Sequence, residues 1–209
     1  MVKIFGTDYD GVIINIEPQK AKAFGDLLEK EWGVNKNAAA RFWIEKVGTS
    51  RKYKFDYLYK KRFGKELNDS EYKKIEKTFS KMLKTEFYPK LKLLPGALEL
   101  LKFIRSNFDY IFVSSGVSDE EIKYLVNLSG LSNYFDLILG TGSIYYSKQD
   151  HFRKIIKEQR PDLIAYVADG LEDMKIAKEF DVFSIGIPTN HSKEKLIAAG
   201  QIKFAIYQM

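Results

Sequence analysis

Residues 3–12 read KIFGTDYDGV, and this stretch is the starting point for the fold. Its first half, Lys3–Thr7, is a short, largely apolar run with the length of a buried strand. The run stops at Asp8 and Asp10, which lie one residue apart and are followed by Gly11. Like charges this close repel each other, so a buried strand that ends in them needs a reason from the rest of the chain.

The composition indicates a folded protein. Hydrophobic residues make up 45% of the 209 positions and aromatic residues 14%, enough for one domain with a sizeable insert or for two small domains. The absence of cysteine excludes disulfides, thiolate metal sites and a cysteine nucleophile. The first residues lack a signal-type stretch, and no apolar run approaches the length of a membrane span. We expect a soluble cytoplasmic protein with no membrane partner.

The formal net charge of +6 raises the question of a nucleic-acid partner. Lysines alternate with glutamates, as in segment 71–77, EYKKIEK, and this pattern is typical of a solvated helix face. The sequence also lacks a recognisable nucleic-acid-binding motif. We therefore expect no nucleic-acid partner, whereas a positive field favours small anionic substrates.

Strand-like and helical segments alternate after residue 95. Each apolar run is followed by a stretch with helical periodicity, which predicts an α/β fold with a doubly wound, Rossmann-like parallel sheet. The predicted strands are Lys3–Thr7, Tyr110–Val113, Asp136–Leu139, Leu163–Val167 and Val182–Ile185, with a short helix and strand to follow.

A helical module interrupts this alternation after the first strand. Apolar residues recur at helical spacing up to about Lys90, and Gly33, Gly48 and Gly64 punctuate a bundle of about four helices. We predict an α/β core made of residues 1–14 and 91–209, with residues 15–90 inserted as a helical domain.

Polar residues follow four of the predicted strands. Taken one at a time, each has an ordinary interpretation as a turn residue or a surface lysine. Ligands of open parallel sheets bind beyond the carboxyl ends of the strands, where all of these residues would meet. The candidates are Asp8, Asp10 and Gly11 after the first strand, Ser114, Ser115 and Gly116 after the second, Lys148 after the third, and Asp169 and Asp173 after the fourth.

The order and spacing of these residues resemble the four motifs of the haloacid dehalogenase superfamily of phosphate-transferring hydrolases. DYDGV at 8–12 is similar to the first motif, the apolar run ending in Ser114 to the second, Lys148 to the third, and ADGLED at 168–173 to the fourth. The helical insert resembles the cap of the subgroup that includes β-phosphoglucomutase and phosphoglycolate phosphatase. Two positions depart from the pattern: Lys148 is not followed by proline, and Ala168 stands where glycine is usual.

The resemblance implies a Mg²⁺-dependent phosphatase that acts on a small phosphorylated metabolite, such as a sugar phosphate or a similar monoester. Asp8 would be the nucleophile that forms an aspartyl-phosphate, and the side chain of Asp10 would be the acid and base. Asp8 and Asp169 would bind the metal through their side chains, Asp10 through its carbonyl, and Asp173 directly or through water.

The remaining candidates would bind the phosphoryl group or the substrate. Ser114 would donate a hydrogen bond to a phosphoryl oxygen, and Lys148 would neutralise the charge that develops there. Gly11 and the Ser115-Gly116 pair would let backbone amides approach the phosphate. Arg51, in the GTSR stretch of the cap, would grip a substrate anion or would simply be a solvent-facing arginine.

Several alternatives stay open. A phosphomutase of the same mechanism and a non-catalytic binding protein on the same fold share these motifs. A dehalogenase is less compatible because that chemistry needs neither the metal nor an acid/base at Asp10. His151 and His191, the two histidines, receive no role, and the sequence does not decide between a monomer and a homodimer.

Overall fold

The computed structural model describes residues 1–200 and the backbone of the strand Ile202–Ala205. The chain forms two compact units, one made of residues 1–15 with the chain from residue 92 onward, the other of residues 16–91. Among the described helices, none combines the length and the apolar character that a membrane span requires.

The first unit contains a parallel sheet with helices between its strands. In the part of the chain that the structure describes, the sheet has six strands in the order β3-β2-β1-β4-β5-β6, and all neighbouring pairs are parallel. The predicted doubly wound α/β fold is therefore confirmed. The strands are β1 (Lys3–Thr7), β2 (Tyr110–Ser118), β3 (Leu137–Thr141), β4 (Leu163–Ala168), β5 (Phe183–Gly186) and β6 (Ile202–Ala205).

Nine α-helices lie within the described residues, four of them in the second unit. Those of the second unit are α1 (Glu17–Trp32), α2 (Lys36–Glu45), α3 (Arg51–Phe63) and α4 (Asp69–Met82). Those of the first unit are α5 (Ala97–Asn107), α6 (Asp119–Leu128), α7 (Lys148–Gln159), α8 (Leu171–Glu179) and α9 (Lys193–Ala199).

The central strand β1 is fixed by close packing against both neighbours. Gly6 lies between the aromatic rings of Phe112 on β2 and Tyr166 on β4, and a Cβ atom at Gly6 would come within 2.4 Å of the first ring and 2.7 Å of the second. Only glycine leaves room for both rings, which are buried completely. Glycine at position 6 therefore allows β1 to lie between two strands that carry large aromatic side chains.

The register of the sheet brings the ends of three strands together. Thr7 pairs with Val113 on one side and with Val167 on the other. The backbone N–H of Asp8 donates to the carbonyl of Val167 at 2.9 Å, so the pairing continues into the first candidate residue. The residues that follow β1, β2 and β4 consequently emerge at one edge.

Most strand boundaries differ from the prediction by one or two residues, and that of β2 differs most. Strand β2 does not end at Val113 but continues to Ser118, where it meets β3 again after a shift in register. Helix α7 begins at Lys148, because the carboxylate of Asp150 accepts hydrogen bonds from the N–H and hydroxyl of Ser147. This N-terminal cap places Lys148 in the first turn of a helix.

The second unit is the predicted bundle of four helices, built around aromatic side chains. Helix α1 has Pro18 in its first turn and ends at Gly33, which adopts the left-handed conformation (φ 63°). The ring of Phe24 on α1 lies 4.9 Å from those of Trp43 on α2 and Phe55 on α3, and all three side chains are buried. A short π-helical segment, Leu83–Phe87, follows α4 and was not predicted.

A buried ion pair accompanies this aromatic core. The ammonium of Lys20 donates to one carboxylate oxygen of Glu17 at 3.0 Å, and the indole N–H of Trp43 donates to the other at 2.7 Å. Lys54 lies over the Trp43 ring at 4.3 Å and donates to the carbonyl of Thr49. Burial lowers the pKa of Lys54 to about 8, with Lys20 and Arg51 acting in the same direction and Glu17 against them.

Candidate active site

Four aspartates gather at the carboxyl edge of the sheet. Asp8 and Asp10 follow β1, Asp169 follows β4, and Asp173 lies in the first turn of α8. Asp8, Asp169 and Asp173 are each less than 8% exposed to solvent. Three carboxylates this deeply buried require partners of opposite charge, because burial strongly disfavours an isolated ion.

Lys148 supplies part of that charge. Its ammonium donates to Asp8 Oδ2 at 2.8 Å and to Asp173 Oδ1 at 2.5 Å, so one cation joins residues that follow two different strands. Burial alone would lower the pKa of Lys148, but Asp173 and Asp8 outweigh it and hold the pKa above its usual value. Lys148 is therefore charged throughout the neutral range.

Asp8 is held by both carboxylate oxygens. Oδ1 accepts the backbone N–H of Tyr9 at 2.7 Å, while Oδ2 accepts the ammonium of Lys148. Burial raises the pKa of Asp8 to about 6; Lys148 opposes this rise and Asp173 adds to it. The carboxylate has a fixed orientation and is ionised at neutral pH.

Asp169 has a neutral hydrogen-bond donor as its partner, whereas Asp8 contacts the charged ammonium of Lys148. Its Oδ2 accepts the side-chain N–H of Asn190 at 2.5 Å, and Gly11 (φ 77°) approaches so closely that a Cβ atom there would fall 2.0 Å from the same oxygen. Burial, followed by the charges of Asp8 and Asp10, raises the pKa of Asp169 to about 8. Burial is the larger cause of this rise, and the neighbouring carboxylates add to it, so the metal-free site disfavours a further negative charge at Asp169.

A hard divalent cation fits this arrangement. Carboxylate oxygens of Asp8 and Asp169 and the carbonyl of Asp10 are the donor types that Mg²⁺ prefers, and the excess negative charge beside Asp169 favours a cation. Within the described residues, no three acidic or histidine side chains converge into a complete metal cluster. That finding is compatible with Mg²⁺, which is commonly bound by one or two carboxylates and keeps several waters.

Ser114 ends the buried part of β2 and is completely buried. Its hydroxyl lies 2.9 Å from Nδ1 of His151, and its backbone carbonyl lies 3.3 Å from the hydroxyl oxygen of Tyr166. The single hydroxyl proton of Tyr166 goes to the shorter of its two contacts, Asp173 Oδ1 at 2.9 Å. A buried network therefore runs behind the aspartates from β2 to α8.

Ser115 and Gly116 extend β2 past Ser114. Ser115 is buried, and its hydroxyl accepts the N–H of Val117 at 3.4 Å. Gly116 is exposed, and a Cβ atom there would lie 4.0 Å from Cε of Lys148. The predicted phosphate-binding pair thus lies beside the lysine of the site.

Arg51 belongs to the second unit and contacts groups of that unit. Its guanidinium lies 3.3 Å from both Glu76 Oε1 and Ser80 Oγ, and 5.5 Å from the ring centre of Phe79. The predicted substrate contact of Arg51 stays a prediction, and it would require the guanidinium to exchange or share these partners.

Several side chains that contact the predicted residues were not assigned to the site from the sequence, among them His151, Tyr166 and Asn190. His151 contacts Ser114, Tyr166 contacts Asp173, and Asn190 contacts Asp169. Asn190 could have been found, because it follows the fifth strand at the same edge of the sheet as the other candidates. His151 and Tyr166 gave no signal, since each side chain reaches its partner from a neighbouring strand or helix.

Comparison with known proteins agrees with this geometry. The sequence profile of the haloacid dehalogenase-like hydrolases matches residues 4–187. The chain belongs to this family. No curated protein sequence matches it significantly. Members of the family generally use a divalent metal ion, usually Mg²⁺.

Solved structures from several bacteria share the fold of this family member. A predicted phosphoglycolate phosphatase from Haemophilus somnus is 18% identical with a TM-score of 0.82, covering 98% of this chain and 93% of its own. A haloacid dehalogenase-like hydrolase from Streptococcus pneumoniae is 16% identical, with a TM-score of 0.79 and coverage of 99% and 94%. A Thermotoga maritima protein assigned as a β-phosphoglucomutase is 17% identical, with a TM-score of 0.73 and coverage of 99% and 94%.

Proposed function

We propose that the protein is a Mg²⁺-dependent phosphatase that hydrolyses a small phosphorylated metabolite through an aspartyl-phosphate on Asp8. The observation that carries the proposal is the double contact of Lys148 with Asp8 and Asp173 beside the buried Asp169, whose pKa burial and the neighbouring carboxylates raise. Membership of the hydrolase family and the phosphatase-like fold of the solved structures support it.

Asp8 is suited to attack phosphorus. Its carboxylate is ionised above its pKa of about 6, and the N–H of Tyr9 and the ammonium of Lys148 hold it in one orientation. An anion that attacks a phosphate dianion meets a repulsion of about 4 kcal/mol per pair of unit charges at 4 Å when the effective dielectric constant is about 20. Lys148 reduces that repulsion because its charge lies between the nucleophile and Asp173.

The metal would be held by Asp8 and Asp169 through their carboxylates, by Asp10 through its carbonyl, and by Asp173 directly or through water. When bound, Mg²⁺ supplies electrostatic stabilisation of the charge on the phosphoryl oxygens. Asn190 would orient Asp169 for this task, since its amide donates to one of the two carboxylate oxygens.

Proton transfer would fall to the side chain of Asp10. Held protonated, it would give its proton to the leaving oxygen and later take one from the water that hydrolyses the aspartyl-phosphate. The two neighbouring carboxylates would then have different tasks, nucleophile and acid/base, as their different surroundings require. The backbone amides near Gly11 and Gly116 would contact the phosphoryl oxygens.

The substrate class follows from the helical unit and from the charge of the chain. We infer that residues 16–91 act as the cap, which selects a small anionic monoester such as a sugar phosphate, with Arg51 as a candidate contact for a substrate anion. A monomer or a homodimer would serve equally well, and a cytoplasmic location is in keeping with such a substrate.

The test is a panel of phosphorylated metabolites and an aryl phosphate, assayed with Mg²⁺ and with a chelator. We expect phosphate release that needs Mg²⁺ and that Asp8→Asn abolishes while the fold is retained. Release that persists in chelator would contradict the metal assignment. Isomerised sugar phosphate without net phosphate release would identify a phosphomutase, and no turnover of any compound would identify a binding protein.

A further inference from the structure

His151 connects two strands of the sheet from the first turns of α7. It is completely buried, with Nδ1 2.9 Å from the hydroxyl of Ser114 on β2 and Nε2 3.0 Å from the carbonyl of Gly140 on β3. The mechanism proposed above does not use this residue. Its two contacts nevertheless determine what the hydroxyl of Ser114 can do.

The protons in this chain of contacts can be counted. The carbonyl of Gly140 only accepts hydrogen bonds, so Nε2 of His151 has to carry a proton in order to contact it. A neutral imidazole has a single N–H, and therefore Nδ1 is an acceptor. Within the part of the chain that the structure describes, the proton available to Nδ1 is that of the Ser114 hydroxyl. In the neutral state Ser114 consequently donates to His151.

A Ser114 hydroxyl that donates to His151 cannot at the same time make the proposed hydrogen bond to a phosphoryl oxygen. A phosphoryl oxygen of a dianionic ester carries no proton and can only accept a hydrogen bond. Ser114 has one hydroxyl proton, which it cannot give to His151 and to phosphate at once. Both contacts are satisfied only if the imidazole gains a second proton, so that Nδ1–H donates to the Ser114 oxygen.

We propose that His151 is a positioning residue for Ser114, and that Ser114 donates to a phosphoryl oxygen only after His151 has bound a proton. The inference rests on the proposed function, because it assumes that Ser114 donates a hydrogen bond to the phosphoryl group of the substrate. Anion binding beside Ser114 and proton binding at His151 then favour each other, and the coupling is reciprocal.

The surroundings of the ring set the direction of the effect. Burial lowers the pKa of His151 and outweighs the hydrogen bond to the Gly140 carbonyl, which raises it. Lys148 from the same helix lowers the pKa further, whereas the charges of Asp150 on α7 and Asp119 on α6 raise it. The ring of Tyr145 packs edge-on against His151 at 5.4 Å. The free protein therefore holds His151 neutral near pH 7. A bound dianion favours the charged ring, so affinity for the anion falls as pH rises.

The experiment uses the imidazole nitrogens as reporters. The chain contains two histidines, and His191→Gln identifies the signals of His151 in the full-length protein labelled with ¹⁵N at histidine. Sulfate, which stays a dianion at neutral pH, replaces the phosphoryl group in the presence of Mg²⁺. We expect a neutral His151 protonated at Nε2 in the free protein, and an increase of about tenfold in its proton affinity at saturating sulfate.

Ser114→Ala is the matched control, because it removes the hydroxyl while His151 keeps its bond to Gly140. In this variant we expect sulfate to leave the charge of His151 nearly unchanged. A ring that stays neutral in the unaltered protein at the highest sulfate concentration overturns the inference. A free ring protonated at Nδ1 overturns it as well, as does an equal response in Ser114→Ala.

Steady-state kinetics give a second readout that a purely structural role would not produce. KM for an aryl phosphate should rise with pH across the neutral range in the unaltered protein, and His151→Gln should flatten that dependence. The two proposals fail separately. Absence of Mg²⁺-dependent hydrolysis refutes the phosphatase while the NMR response can persist. Normal hydrolysis with a permanently neutral His151 refutes the coupling alone.

Discussion

Asp169 should destabilise the metal-free protein at high pH. A carboxylate whose pKa rises from 3.8 to about 8 on folding is less stable, in its ionised form, in the folded than in the unfolded chain. At 1.36 kcal/mol per unit this amounts to about 6 kcal/mol once the pH exceeds the folded pKa. The contribution is absent below the unfolded pKa and grows as the pH rises from about 4 to about 8.

Asp169→Asn removes this charge and keeps the shape of the side chain. In chelator, we expect the variant to be several kcal/mol more stable than the unaltered protein at about pH 8, and this difference should fall to about 1.6 kcal/mol, 1.36 × (5 − 3.8), at about pH 5. Added Mg²⁺ should raise the melting temperature of the unaltered protein most at high pH, since the cation compensates the charge. The variant should lose most of this response.

Denaturant unfolding at the two pH values, with and without Mg²⁺, measures each quantity. Asp26→Asn is the matched control, an identical chemical change at a partly exposed carboxylate of helix α1 that pairs with Lys22. It should shift stability by no more than about 0.5 kcal/mol. A loss of stability in Asp169→Asn that is equal at both pH values would refute the reasoning.

Three further substitutions test separate contacts. Glu17→Gln removes the carboxylate that pairs with the buried ammonium of Lys20. We expect the free energy of unfolding, measured with urea, to fall by about 3 kcal/mol. A decrease below about 0.5 kcal/mol would show that this ion pair contributes little to stability. Tyr166→Phe removes the hydroxyl that donates to Asp173. We expect the free energy of unfolding to fall by about 1.5–3 kcal/mol and kcat to fall roughly tenfold. An unaltered kcat would show that catalysis does not need this hydrogen bond. Gly170→Ala places a Cβ atom 2.4 Å from Asp173 Oδ2. Because this oxygen is at the movable end of a side chain, we expect the variant to fold but to displace the carboxylate, with kcat/KM at least about tenfold lower. An unchanged kcat/KM would show that the position of this carboxylate does not matter.

The sequence predicted the sheet and the first layer of the site for a simple reason. Strand ends of a parallel sheet meet at one edge, so Asp8, Lys148 and Asp169 could be brought together from the order of apolar runs alone. The aspartates and the glycine beside them are local features that need no knowledge of side-chain packing. The same rule, applied to the strand before Asn190, would have found that residue too.

The second layer depended on contacts that sequence spacing does not contain. His151 is separated by 37 positions from Ser114, and Tyr166 contacts Asp173 only because α8 begins directly after β4 and turns back over it. Arg51 shows the opposite limit. Its motif suggested a substrate anion, whereas its contacts within the helical unit are Glu76 and Ser80, and the motif alone could not distinguish the two partners.

The most direct test of the account is to trap the phosphoryl group on the protein. The protein is mixed with Mg²⁺ and an excess of a phosphate monoester that it hydrolyses, and the reaction is quenched in acid within one turnover. The protein is then digested and analysed by mass spectrometry. We predict a phosphoryl group on the peptide that contains residues 3–12, located at Asp8 and absent in Asp8→Asn. Rapid turnover without any phosphorylated peptide, or retained activity in Asp8→Asn, would contradict the assignment of Asp8 as the nucleophile.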